Sequence, residues 1–70
     1  MNEVVKNLIL NATSICGTNP DKVLEFVEDQ LTPDQYLDTK EFLTWIFSKK
    51  KSITHKNLDK RVQEFRKVLA

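Results

Sequence analysis

Apolar residues recur at helical spacing in four stretches of the chain, with polar residues filling the positions between them. At about 100° per residue, Val4, Val5, Leu8, Ile9, Ala12, Ile15 and Cys16 fall within one arc of about 140°, and Asn2, Glu3, Lys6, Asn7 and Ser14 lie away from it. This predicts a helix over 2–16, closed by Gly17 in the left-handed conformation that suits a helix C-terminus. Asn19 as cap and Pro20 at the first helical position open a second helix over 20–31, with Asp21 suiting the positive end of its dipole. Its buried face would be Val23, Leu24, Phe26, Val27 and Leu31. A third helix over 33–48 is marked by Thr32, Pro33 and Gln35, the spacing of a capping box. On it Tyr36, Thr39, Phe42, Leu43, Ile46 and Phe47 share an arc of about 140°. The fourth runs over 55–69 from a Thr54 cap, with Ile53 and Leu58 placed as a hydrophobic staple and Leu58, Val62, Phe65, Val68 and Leu69 as its stripe. No segment alternates with a period of two. The expected fold is therefore all-α: a single four-helix domain over 1–70, orthogonal or bundle-like, with short connections.

The stretch Tyr36 to Phe47, YLDTKEFLTWIF, holds four of the six aromatic residues, so the core is expected to be organised around it. Three large apolar residues fall off the stripes. Leu10 points almost directly away from the stripe of its helix, and Leu37 and Trp45 lie outside the arc of theirs. Trp45 sits about 140° from the arc's centre, among Asp34, Asp38, Glu41 and Ser48. Either the third helix has neighbours on two sides and Trp45 is core, or Trp45 is exposed and anchors a partner, as tryptophan often does. Trp45, Leu37 and Leu10 are the candidate partner-binding residues.

Charge sharpens this picture. The 70 residues carry a net charge of +1, but its distribution is uneven. Residues 1–48 hold three basic and eight acidic groups, a balance of −5; residues 49–70 hold eight basic and two acidic groups, a balance of +6. The basic set is Lys49, Lys50, Lys51, Lys56, Lys60, Arg61, Arg66 and Lys67. It would steer an acidic partner to the C-terminal third, or it is a solvated face partly neutralised by the acidic helices. Nucleic acid is one such partner, because two helices joined by about five or six residues loosely follow the helix-turn-helix plan. That match is poor: the connection is long for the motif and has no turn glycine, the exposed face offers few base-reading groups beyond Asn57 and Gln63, and the pI is about 7.9. A basic amphipathic last helix also suits a membrane-proximal partner, although the core is expected to consume its apolar stripe.

Candidate chemistry is sparse. His55, the one histidine, sits among lysines at a predicted helix start and reads as a surface residue. Cys16, the one cysteine, lies on an apolar arc and reads as core; alone it allows no intramolecular disulfide, which favours a reducing cytoplasmic setting. There is no metal-ligand spacing, no paired-carboxylate pattern and no phosphate-cradling glycine loop, so neither enzyme activity nor a metal or other cofactor is expected. No stretch approaches the roughly 18 apolar residues of a membrane span. The chain begins at Met1 without a leader pattern and reads as a complete small protein. A chain of this size buries only about 60% of its unfolded surface, so its stability would be marginal or shared with a partner or a second copy.

The tail ITHKNLDKRVQEFRKVLA and the segment YLDTKEFLTWIF, with their W-I-F and F-R-K-V clusters, resemble small regulatory proteins of large T-even bacteriophages. The nearest are the cytoplasmic lysis-inhibition accessory proteins, or second antiholins. The likeness covers most of the chain in length and Asn/Lys-rich texture and includes no diagnostic motif. It implies a non-enzymatic protein of the host cytoplasm that binds the cytoplasmic segment of a membrane protein, the holin, and delays lysis. No residue roles carry over. The expected function is thus regulation through protein–protein binding, with nucleic-acid binding or transcriptional regulation by the basic C-terminal third as the alternative and a homo-oligomer as a further option.

Overall fold

Local signals set the helix boundaries. In the computed structural model, which describes residues 2–69, α1 spans Glu3–Cys16, α2 Pro20–Val27, α3 Pro33–Ser48 and α4 Leu58–Leu69, with no strand among the described residues. The all-α four-helix expectation holds. Asn2 caps α1 by accepting the Val5 N–H at 2.9 Å, so α1 begins one residue later than its periodicity suggests. The Asn19 side chain accepts from the N–H groups of Asp21 and Lys22, with Pro20 opening α2. The capping box of α3 is complete: Gln35 N–H donates to Thr32 Oγ1 at 3.2 Å, and Thr32 N–H to Gln35 Oε1 at 3.0 Å.

Three ends differ from expectation. Gly17 donates its N–H to Thr13 O at 2.9 Å, but with φ +77° and ψ −146° it is not left-handed helical; it occupies a region essentially reserved for glycine. Helix α2 stops at Val27 and tightens into a 3₁₀ turn over Glu28–Gln30. Leu31 and Thr32 are then extended, as the approach to Pro33 requires. Regular α4 starts at Leu58 instead of His55. Thr54 instead closes the turn before it: its N–H donates to Asn57 Oδ1 at 2.8 Å while Asn57 N–H donates to Thr54 Oγ1 at 3.3 Å. Residues 55–57 form the turn enclosed by this reciprocal pair, and Ile53 and Leu58 on either side of it are both buried.

Each helix packs on the one before it, and a single core joins all four. Its centre is α3, where Thr39, Phe42, Leu43 and Ile46 are fully buried, flanked by half-buried Tyr36 and Phe47. Against this face lie Val5, Ile9 and Ala12 of α1, Val23, Leu24 and Val27 of α2, and Leu58, Val62 and Phe65 of α4. The stripes are narrower than the periodicity alone implies. Val4 and Ile15 of α1, Phe26 of α2 and Val68 of α4 are exposed, because a chain this small has no second layer to cover the edges of its helices. The Leu69 side chain expected on the α4 stripe lies outside the described residues. The first and last helices are tied by Lys6, whose Nζ donates to Asp59 Oδ1 at 2.6 Å and to Glu3 Oε1 at 3.2 Å.

The connection from α3 to α4 holds the one non-glycine residue with positive φ among the described residues, Lys50 at +57°. Lys50 N–H donates to Phe47 O and Lys51 N–H to Ile46 O, the two bonds of a Schellman motif with lysine where glycine is usual. A side chain in this conformation costs roughly 1–2 kcal/mol, of which glycine's greater unfolded entropy takes back a part. Lys50→Gly is therefore expected to raise stability by roughly 0.5–1 kcal/mol in urea unfolding followed by circular dichroism. A loss of stability would show that the Lys50 side chain does more than fill the turn.

Candidate functional site

The candidate binding residues do not form one surface. Leu37 and Trp45 line a groove of about 700 Å³ between α3 and α4, together with Lys40, Glu41, Thr44 and Ser48 of α3 and Phe65 and Val68 of α4. Leu10 lies elsewhere. It is half-buried and packs against the core, beside Ile53, Thr54 and His55 in a second cavity of about 510 Å³. The expected outward-pointing Leu10 is thus covered by the segment that leads into α4, a long-range arrangement that helical periodicity does not carry.

Trp45 falls between the core and the exposed positions considered for it. Its ring lies 5.5 Å from that of Phe65, tilted by 47°, and 6.4 Å from that of Phe42, while Phe42 and Phe65 meet edge to face at 5.5 Å. One side of the indole is therefore core. The residue is only half-buried, however, and Lys49 Nζ stands 5.9 Å from the ring centroid, at cation–π distance. The indole Nε1 is buried and has no hydrogen-bond partner among the described residues. Beside it Leu37 and Val68 are 57% and 60% exposed. The groove thus has an apolar floor, with Lys40 and Glu41 both on its α3 side. Periodicity singled out Leu37 and Trp45; Val68 and Phe65 were read as core, and nothing in the sequence showed that α4 would leave Val68 at its edge.

The basic patch is partly internal. Glu64 takes Lys51 Nζ on one carboxylate oxygen at 3.1 Å and an Arg61 guanidinium nitrogen on the other at 3.2 Å. Neutralisation by the acidic helices is confined to one contact across the chain, and it runs the other way, from Lys6 to Asp59. The remaining six basic residues, Lys49, Lys50, Lys56, Lys60, Arg66 and Lys67, are exposed and have no ion-pair partner among the described residues. His55 is exposed and Cys16 is half-buried at the core's margin. Among the described residues no group of three potential metal ligands comes together, and no helix is long and apolar enough to cross a membrane.

In comparisons with protein-family models, curated protein sequences and solved structures, no match was found for this chain. The groove and the charge pattern therefore carry the functional reading by themselves.

The Lys51 hydrogen bond, with Arg61 behind it, holds the Glu64 carboxyl below the ordinary glutamate range. The hydrogen bond that Lys6 donates to Asp59, followed by the one it donates to Glu3, holds its amine above its ordinary value. A depressed carboxyl stabilises the fold above the ordinary glutamate range, and this contribution is lost as pH falls through the folded value; a raised amine stabilises it below the ordinary lysine range and is lost at strongly alkaline pH. Glu64→Gln should therefore melt below the wild type at neutral pH, with the gap closing as pH falls below the ordinary glutamate range, in thermal scans followed by circular dichroism. A gap that stays constant across that window would mean the Glu64 carboxylate is not linked to folding.

Proposed function

We propose that this chain is a small non-enzymatic regulatory protein that acts by binding another protein through the α3–α4 groove. The observation that carries the reading is the exposed pair Leu37 and Val68 on either side of a tryptophan that is already seated on Phe65. A large aromatic side chain held rigid on one face and accessible on the other loses little entropy when a partner covers it, which suits it to anchor an interface. The matching partner is an amphipathic segment with apolar residues for the groove floor and carboxylates for the unpaired lysines of the C-terminal third. In its narrower form, which draws on the resemblance to T-even lysis-inhibition accessory proteins, that segment is the cytoplasmic part of a holin. The protein then acts in the host cytoplasm as an antiholin and delays lysis.

A second reading is supported by the six unpaired basic side chains: nucleic acid bound by the C-terminal third, with affinity that falls steeply as salt rises. The two readings separate on one experiment. Trp45→Ala is not the variant to use, since loss of its contacts with Phe42 and Phe65 would also loosen the core. Leu37→Lys and Val68→Lys leave the core intact. Tagged wild-type chain and both variants are incubated with bacterial extract, with and without nuclease, and the retained proteins are identified by mass spectrometry. We expect one protein to be held by the wild type regardless of nuclease and to be lost from both variants. Its binding segment should shift Trp45 fluorescence on titration, with at least about tenfold weaker affinity for Leu37→Lys. Capture that is unchanged in the variants, or that disappears with nuclease, would overturn the groove reading in favour of the basic third.

A further inference from the structure

Among the cavities of the described residues, one has lysines in its lining and no carboxylate. The α3–α4 groove sets Lys40 beside Glu41, and a cavity at α2 sets Lys22 beside Glu25. A cleft of about 200 Å³ is lined instead by Thr18, Phe47, Lys50, Lys51 and Ser52. Thr18 belongs to the turn between α1 and α2, and Lys50 to Ser52 belong to the connection from α3 to α4, so two turns far apart in sequence meet there. Lys50 is exposed and has no ion-pair partner among the described residues, while Lys51 Nζ is held by Glu64 at 3.1 Å. The Thr18 and Ser52 side chains are exposed and make no hydrogen bond among the described residues. Half-buried Phe47 gives the cleft an apolar wall.

The backbone of Lys50 is a second, independent observation. At φ +57° it holds a conformation that strains a lysine and leaves a glycine relaxed. Strained residues of this kind cluster at sites where the side chain they place has a use. Inside the chain the Lys50 ammonium has no ion pair to offset that strain.

We infer that this cleft is a binding site for a phosphate group, with Lys50 as its principal charge and the Thr18 and Ser52 hydroxyls as further donors. A phosphate monoester carries close to two negative charges at neutral pH and presents three strong acceptor oxygens. Lysine meets such a group as a point charge with three donors, and each hydroxyl adds one more. A carboxylate has one charge and two oxygens and uses this donor set less fully. The cleft is smaller than the roughly 300 Å³ at which pockets for larger ligands begin, so the phosphate itself is recognised and the group it is attached to stays outside. Helix α3 ends here, but its Ile46 and Phe47 carbonyls already accept from the N–H groups of Lys51 and Lys50, which limits their repulsion of an anion. The cleft shares no lining residue with the α3–α4 groove, and the inference does not rest on the function proposed for that groove.

The test is titration of the isotope-labelled full chain with sodium phosphate and, separately, with O-phosphoserine, at neutral pH and low salt, followed by amide chemical shifts. We expect saturable shifts centred on Thr18, Lys50, Lys51 and Ser52, with Kd on the order of 1 mM. Lys50→Gly should weaken binding at least about tenfold and leave the chain no less stable, because it removes the ammonium and the strain together. Ser52→Ala should weaken binding about threefold, and Lys67→Ala, which removes an unpaired lysine of α4, should leave it unchanged. Tighter binding of O-phosphoserine than of phosphate would assign the ligand as an esterified phosphate, and the reverse order as the free ion; both support the site. The absence of a saturable shift up to about 20 mM ligand would overturn the inference. So would shifts at Lys56, Lys60 and Lys67 as large as those at the cleft, or a Lys50→Gly chain that binds as well as the wild type.

Discussion

The contact on which the rest of the molecule depends is the seat of Phe65 on Phe42 and Trp45. Helix α4 is 12 residues long and half of its residues are charged, and a helix of that length is marginal in water by itself. Among the described residues it buries Leu58, Val62 and Phe65. Each large apolar side chain buried is worth about 1.5–3 kcal/mol, and an aromatic contact adds about 0.5–1.5 kcal/mol. A domain of this size is stable by only about 4–10 kcal/mol in total. Phe65 and its two aromatic neighbours are thus a large part of what keeps α4 folded onto α3, and half of the basic set is positioned by that helix.

The same contact creates the groove. Phe65 meets α3 along one edge, the side of Phe42 and Trp45, and the opposite edge of Leu37, Thr44 and Ser48 is left without a neighbour. Trp45 lies on the boundary between the two. It is a core residue toward Phe65 and a surface residue toward Leu37, and its buried indole N–H finds no acceptor. Val68, one turn beyond Phe65, falls past the end of the packed region and completes the apolar floor. Stability and candidate binding therefore share residues, which is why Leu37 and Val68 probe the groove and Trp45 does not.

What was legible in the sequence is what is local. The Thr32–Gln35 box, the Asn19 cap and the centres of the buried faces of α1 and α3 are set by residues within a turn or two of each other, and the structure keeps them. Periodicity gives the direction in which a side chain points along its own helix; it does not give how far the neighbouring helix extends. Val4, Ile15, Phe26 and Val68 were placed on buried stripes and emerge at their edges, while Leu10 was placed outward and is covered by residues more than forty positions away. The left-handed Lys50 was illegible because a Schellman turn normally announces itself with glycine. Charge segregation could be read directly, but the pairing of Glu64 with both Lys51 and Arg61, and of Lys6 with Asp59, depends on how the helices close.

The central claim is that α4 is held on α3 by one aromatic cluster that leaves Trp45 half in the core. Nuclear Overhauser spectroscopy on the unmodified chain tests it most directly, because Trp45 is the only tryptophan and its indole protons are identified without ambiguity. Cross-peaks from the Trp45 ring to both Phe65 and Phe42 are expected, with an indole N–H protected from exchange with water. An indole N–H in fast exchange, with no cross-peak to Phe65, would contradict it: α4 would be held by something other than this cluster, and the groove between the two helices would not have the form described.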